Sequence, residues 1–187
     1  MTEALEHLSV VLNDFFILLP ANVGAGNLEG VERDWLHLPD ADHGKGLEVI
    51  LQAHTLAGFP RTINALIKVH ELGLHPEGTK HFDEHHNIDS WRKDGLKTLD
   101  SIYGPVSEKM RANFRKMHPL LESILVEHIY GRVLSRPLVG LRMRELCTLS
   151  IVAGQNLPLQ LVRHPNLERI SRPVCTHASL RHAPNSS

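Results

Sequence analysis

The chain has 187 residues, 42% hydrophobic and 22% charged, with a formal net charge of −1 and a pI near 6.9. This balance fits a folded domain with a real core and excludes the electrostatic footprint of a nucleic-acid or anionic-membrane binder. Two cysteines, Cys147 and Cys175, argue against a disulfide scaffold and fit a reducing compartment, while fourteen histidines make the charge sensitive to mild acid.

Leu5, Leu8, Leu12, Phe15, Phe16 and Leu19 recur at spacings of three and four, which predicts a helix over 3–19 capped by Thr2 and stopped by Pro20. Its acidic residues stand where a leader peptide would carry Arg or Lys, so a cytoplasmic protein is expected. A processed mitochondrial protein is the other reading. The apolar run Phe15–Leu19 is too short to span a bilayer.

The Gly-, Asn- and Asp-rich stretch over 21–46 predicts loop, with at most a turn of helix around Glu29–Leu36. A helix then places Leu47, Ile50, Leu51, His54 and Ala57 on one face. The corner Ala57-Gly58-Phe59-Pro60-Arg61 breaks it and starts another, because proline suits a first helical turn. Ile63, Leu66, Ile67 and His70 line that second helix, which Gly73 ends.

Residues 75–95 turn polar and mark a boundary, giving a unit over 1–74, a linker over 75–95, a unit over 96–164 and an irregular tail over 165–187. His81, His85 and His86 within the linker could approach a metal, yet two ligands one turn apart without a third do not make a site, and a solvated linker is the plainer reading. Beyond it, Val106, Met110, Phe114 and Met117 form one apolar stripe. Leu121, Ile124, Leu125, His128 and Ile129 form another. Arg136-Pro137 makes a corner, and an almost unbroken apolar run predicts a buried helix from about Leu141 to Ala153. No stretch alternates with period two, so the expected fold is all-α.

The buried helix opens on an acid, Glu145, and His164 follows a Pro-interrupted turn. Facing each other across a cleft, the two would form a proton-transfer pair. Arg61, Arg142 or Arg144 could grip a substrate carboxylate through paired hydrogen bonds. The bland reading makes Glu145 a first-turn acid paired with Arg142 or Arg144, and His164 a surface residue. Cys147 reads as a small core residue and Cys175 as an inert thiol in the tail.

Three runs carry a family resemblance: Gln52–Leu66 with its AGFPR corner, Tyr130–Pro137 (YGRVLSRP), and Arg144-Glu145-Leu146 followed by Gln160-Leu161 and His164. Together they cover about half of the chain. They resemble the carboxymuconolactone decarboxylase family, which includes alkyl hydroperoxidase D. The resemblance implies an alkyl hydroperoxidase D-like helical domain that forms homo-oligomers or larger assemblies, with the AGFPR helices at the packing core. It implies Glu145 and His164 as catalytic groups, a small carboxylated lactone-type substrate, and no cofactor. The order departs from the family's simple members, where the Glu-bearing helix precedes AGFPR. The chain thus resembles either a circular permutation or a two-unit protein whose second unit breaks off after His164.

In the peroxidase branch the resemblance would place a Cys-x-x-Cys pair at Leu157 and Gln160, and neither is a thiol. A disulfide relay needs both an attacking and a resolving sulfur. Cysteine-independent acid–base chemistry is therefore the expected activity if the chain is an enzyme. A catalytically inactive assembly subunit is the alternative.

Overall fold

The computed structural model describes residues 15–73 and 87–162. The elements are α1 (Phe15–Ala25), α2 (Leu28–Leu36), a 3-10 turn (Asp40–Asp42), α3 (His43–Gln52), α4 (His54–Ala57) and α5 (Phe59–Glu71). They continue with α6 (Ile88–Tyr103), a second 3-10 turn (Gly104–Val106), α7 (Ser107–Met117), α8 (Leu121–Ser123) and a π-helix (Ile124–Leu134). The last two are α9 (Leu141–Gly154) and α10 (Pro158–Val162). Among the described residues every regular element is helical. None of these helices is long and apolar enough to cross a membrane.

The elements pack as two bodies. In the first, α1 lies along α9, with α2, α3 and α5 around them. Its core holds Leu19, Val23, Val31, Trp35, Val49, Ile50, Ala65, Val69, Cys147 and Ile151, and each large side chain so buried stabilises by roughly 1.5–3 kcal/mol. In the second, α6 lies along the π-helix, with α7 and α8 beside them. The helix α9 thus packs on α1, although it follows the polar boundary in sequence.

Both long pairs approach closely through glycine. A Cβ on Gly24 would clash with the Ile151 carbonyl, and one on Gly154 with the Ala21 carbonyl. A Cβ on Gly95 would likewise meet the Val126 carbonyl, and one on Gly131 the Trp91 carbonyl. Backbone lies against backbone in both places.

Several expectations need correction. Pro20 does not stop the first helix but lies inside α1. A proline there has no N–H for the Phe16 carbonyl four residues back, and the Cys147 thiol donates to that oxygen instead at 3.3 Å. The stretch read as loop over 21–46 carries α2, which Asn27 caps by accepting from the Gly30 amide at 3.1 Å. Residues 88–95, read as the end of the polar linker, are helical and belong to α6. Asn87 and Ser90 form a reciprocal capping box that starts α6.

Faces shift as well. On α3 the buried side carries Glu48, Val49, Ile50 and Gln52. On α5 it carries Thr62, Ala65 and Val69. Phe59, Ile63 and Ile67 therefore form an outward apolar stripe, at 60%, 49% and 51% exposure. Val106 and Met117, expected in a core stripe, are exposed. The stripe from Leu121 to Ile129 lies mostly on the π-helix, whose wider turn places residues off the α-helical spacing. The AGFPR corner does break and restart the helix, with Gly58 at φ 82° and ψ 162°, a conformation suited to glycine.

Candidate functional site

The two bodies meet at a junction built by α3, α4 and α9 on one side and by the π-helix and its following segment on the other. Its most buried feature is an ion cluster. Glu48 accepts from Arg136 Nε at 2.8 Å and Nη2 at 2.7 Å, and from Arg144 Nη2 at 2.9 Å. Gln52, one turn after Glu48, accepts from Arg144 Nη1 at 3.2 Å and donates to the Arg144 carbonyl at 2.8 Å. Burial pushes the Glu48 carboxyl up, but hydrogen bonds and charge from Arg136 and Arg144 outweigh it and hold the group below its usual 4.5. Burial pulls Arg144 down, only partly offset by Glu48. The asymmetry follows from numbers: one carboxylate faces two guanidiniums.

Glu145 follows Arg144 on α9 and is 3% exposed. Its charge reaches two tyrosines of the second body, Tyr103 at the end of α6 and Tyr130 on the π-helix, whose hydroxyls are 2.8 Å apart. Burial is the main cause raising both phenols above 10.0. Glu145 adds to it in both, while the mutual bond lowers Tyr103 and raises Tyr130. Both therefore hold their protons at neutral pH. The arrangement places a buried carboxylate within electrostatic reach of two protonated, mutually bonded phenols, the group types that general acid–base chemistry uses.

A second pair joins the bodies. His54 Nε2 on α4 lies 2.8 Å from His128 Nε2 on the π-helix, and His54 Nδ1 is bonded to the Leu51 carbonyl. The Phe59 ring stacks on His54 at 4.9 Å. A cleft of about 350 Å³ lies between α6 and the segment leading into α9, with Arg136 of the ion cluster in its lining. Asp94, Lys97, Thr98 and Ser101 line it from α6, and Ser135, Arg136 and Leu141 from the other side. Leu141 is one helical turn before Glu145.

Of the residues singled out in the sequence, Glu145 lies at this junction. Arg144 does too, but it is fully buried and its Nη1 and Nη2 groups donate to Gln52, Glu48 and the Arg136 carbonyl. Arg61 is exposed and donates to the Gly24 carbonyl at the end of α1. Arg142 is exposed near the start of α9. His164, the linker histidines His81, His85 and His86, the tail with Cys175, and residues 1–14 lie outside the described residues. Among the described residues no three His, Cys, Asp or Glu side chains gather as a metal site.

Sequence reasoning missed Glu48, Gln52, Tyr103 and the pairing of His54 with His128. Signals existed. Glu48 and Gln52 are four apart in the apolar half of α3, and both histidines occupy positions in apolar stripes. No protein-family model, no curated protein and no solved structure matches this chain. The site thus stands on its own geometry.

Proposed function

We propose that the protein is a carboxymuconolactone decarboxylase-like lyase using cysteine-independent acid–base chemistry on a small carboxylated lactone. The observation that carries this reading is buried Glu145, whose charge acts on the hydrogen-bonded Tyr103–Tyr130 phenol pair and which stands one helical turn after Leu141, a residue that lines the cleft. The substrate carboxylate would lie in that cleft against the Lys97 ammonium and away from Asp94, since the Ser101 and Ser135 hydroxyls already donate to the Lys97 and Gly131 carbonyls. As the bond from carbon to carboxylate breaks, carbon dioxide leaves and the electron pair passes into the conjugated lactone carbonyl. A proton relayed from Glu145 and the phenols then completes the product. Homo-oligomer formation and a contribution from His164 belong to the same proposal, and both rest on the family resemblance.

The test is carbon dioxide release from a panel of carboxylated lactones by the full chain. Glu145→Gln is expected to lower kcat by about 10²–10⁴, the usual contribution of a positioned proton donor, with the helical circular dichroism unchanged. Tyr130→Phe is expected to cost less. Turnover that survives Glu145→Gln would sink the assignment, and so would peroxide turnover dependent on Cys147.

A second reading has an observation of its own. Phe59, Ile63 and Ile67 stand on one face of α5 as a contiguous exposed apolar stripe, the kind of surface a partner can cover. It supports a catalytically inactive assembly subunit. A native mass showing a stable large complex, together with no turnover of any lactone, would favour that role.

A further inference from the structure

We propose that His54 and His128 form an acid-sensitive latch across the junction, closed while at least one imidazole is neutral and released when both are protonated. The bonding pattern sets the tautomers. Bonded to the Leu51 carbonyl, His54 Nδ1 must carry a hydrogen, because a carbonyl oxygen can only accept. In the neutral ring His54 Nε2 is then an acceptor. At 2.8 Å, His128 Nε2 must be the donor, which leaves His128 Nδ1 unprotonated.

The consequence is a sequence of states. A first proton taken from solvent goes to His128 Nδ1 and leaves the bridging Nε2–H in place. A second must go to His54 Nε2. It sets two N–H groups and two positive charges head to head, and the bond cannot survive. The surroundings oppose even the first step. Burial, then His54, then the Arg132 guanidinium farther along the π-helix all disfavour charge on His128 and hold it below the usual 6.5.

Charges on the neighbouring elements offer no relief. Arg132 lies over the Trp91 ring of α6, 4.7 Å from its centroid. Arg92 of α6 is bonded to Glu127 and Glu122, so Glu127, the residue before His128, is already engaged. Glu145 of α9 acts on the phenols. On the α4 side, an uncharged phenylalanine ring stacks on His54.

The sign follows from linkage. A histidine held below its ordinary value binds its proton more readily in the open state, so the closed junction is favoured above about pH 6.5 and weakens as pH falls below it. The pair sits where a four-residue helix meets an eleven-residue π-helix. Neither is an element that resists local opening as a long α-helix does.

The experiment combines imidazole nitrogen NMR of the full chain with amide hydrogen exchange, from about pH 7.5 to about pH 5.5. The expected NMR result is opposite tautomers at the upper pH, Nδ1–H on His54 and Nε2–H on His128, with coupled titration below it. After correction for intrinsic exchange, amides of α4 and the π-helix should lose protection roughly tenfold or more across this range. His128→Gln keeps a donor toward His54 without titrating, so it should flatten that loss. His54→Ala should be open at both values. Matching tautomers, independent titration, or protection that stays constant while both rings protonate would overturn the latch. Because none of these readouts is turnover, an inactive protein would leave this test intact.

Discussion

The two close helix crossings solve one steric problem with opposite electrostatics. In the first body, Gly24 and Gly154 let α1 and α9 touch through backbone, and the residues beside the contact are Leu19, Val23, Cys147 and Ile151. In the second, Gly95 and Gly131 do the same for α6 and the π-helix. There the flanks carry ions: buried Glu122 receives Arg92, Arg111 and Arg115, while Glu127 also receives Arg92 and Glu108 also receives Arg111 and Arg115. The contrast teaches that close approach is specified by missing side chains, whereas the neighbours decide how it responds to salt and acid. The apolar crossing draws on area removed from water. The ionic one draws on charge pairs that are partly open to solvent and therefore screened.

Filling the notches should have the largest effect. Gly24→Ala and Gly95→Ala each place a methyl group against a backbone carbonyl that cannot rotate away, so each is expected to cost about 1–3 kcal/mol or more in urea unfolding. Equal and large losses would show that both crossings are structural. A neutral Gly95→Ala would mean that the π-helix can shift and that the two crossings differ in rigidity as well as charge. The next effect concerns only the ionic crossing. Glu122→Gln leaves three guanidiniums facing a neutral amide. Because Arg92 and Arg115 are well exposed, screening limits the expected loss to about 1–2 kcal/mol. Raising salt from about 0.05 M to about 0.5 M should speed amide exchange along α6 more than along α1. The same response in both helices would erase the distinction.

How much of this was legible can be judged from single residues. The all-helical fold and the extent of α9 follow from periodicity, because a long apolar run bounded by Gly140 and Gly154 has few other solutions. The corner at Gly58 was legible because proline and glycine act locally. The site was not. Glu145 stood out as an acid opening a buried helix, but its phenol neighbours come from Tyr103 and Tyr130, brought together only by the second crossing. Glu48 was hidden for a related reason. A carboxylate inside an apolar helix looks solvent-facing until Arg136 and Arg144, some ninety residues later, arrive to neutralise it. Local rules also misled where tertiary contacts override them, as with Pro20, whose cost in a helix interior depends on what replaces the lost bond.

That replacement gives the smallest effect and the sharpest test of the apolar crossing. Cys147 is fully buried, and its thiol donates to the Phe16 carbonyl that Pro20 cannot reach. Cys147→Ala should cost about 1–2 kcal/mol, part from a small void and part from the lost donor. Pro20→Ala gives α1 back an amide able to bond Phe16, so the donor's share of the Cys147 effect should vanish in that background. A double-mutant cycle read by urea unfolding should therefore show a coupling of about 0.5–1 kcal/mol. Cys147→Ser, which keeps a hydrogen to donate, should lose less than Cys147→Ala if the bond matters more than the thiol's apolar fit. Strict additivity of Pro20→Ala and Cys147→Ala would mean that the thiol only fills space. The proline in α1 would then be tolerated because the surrounding core holds the helix.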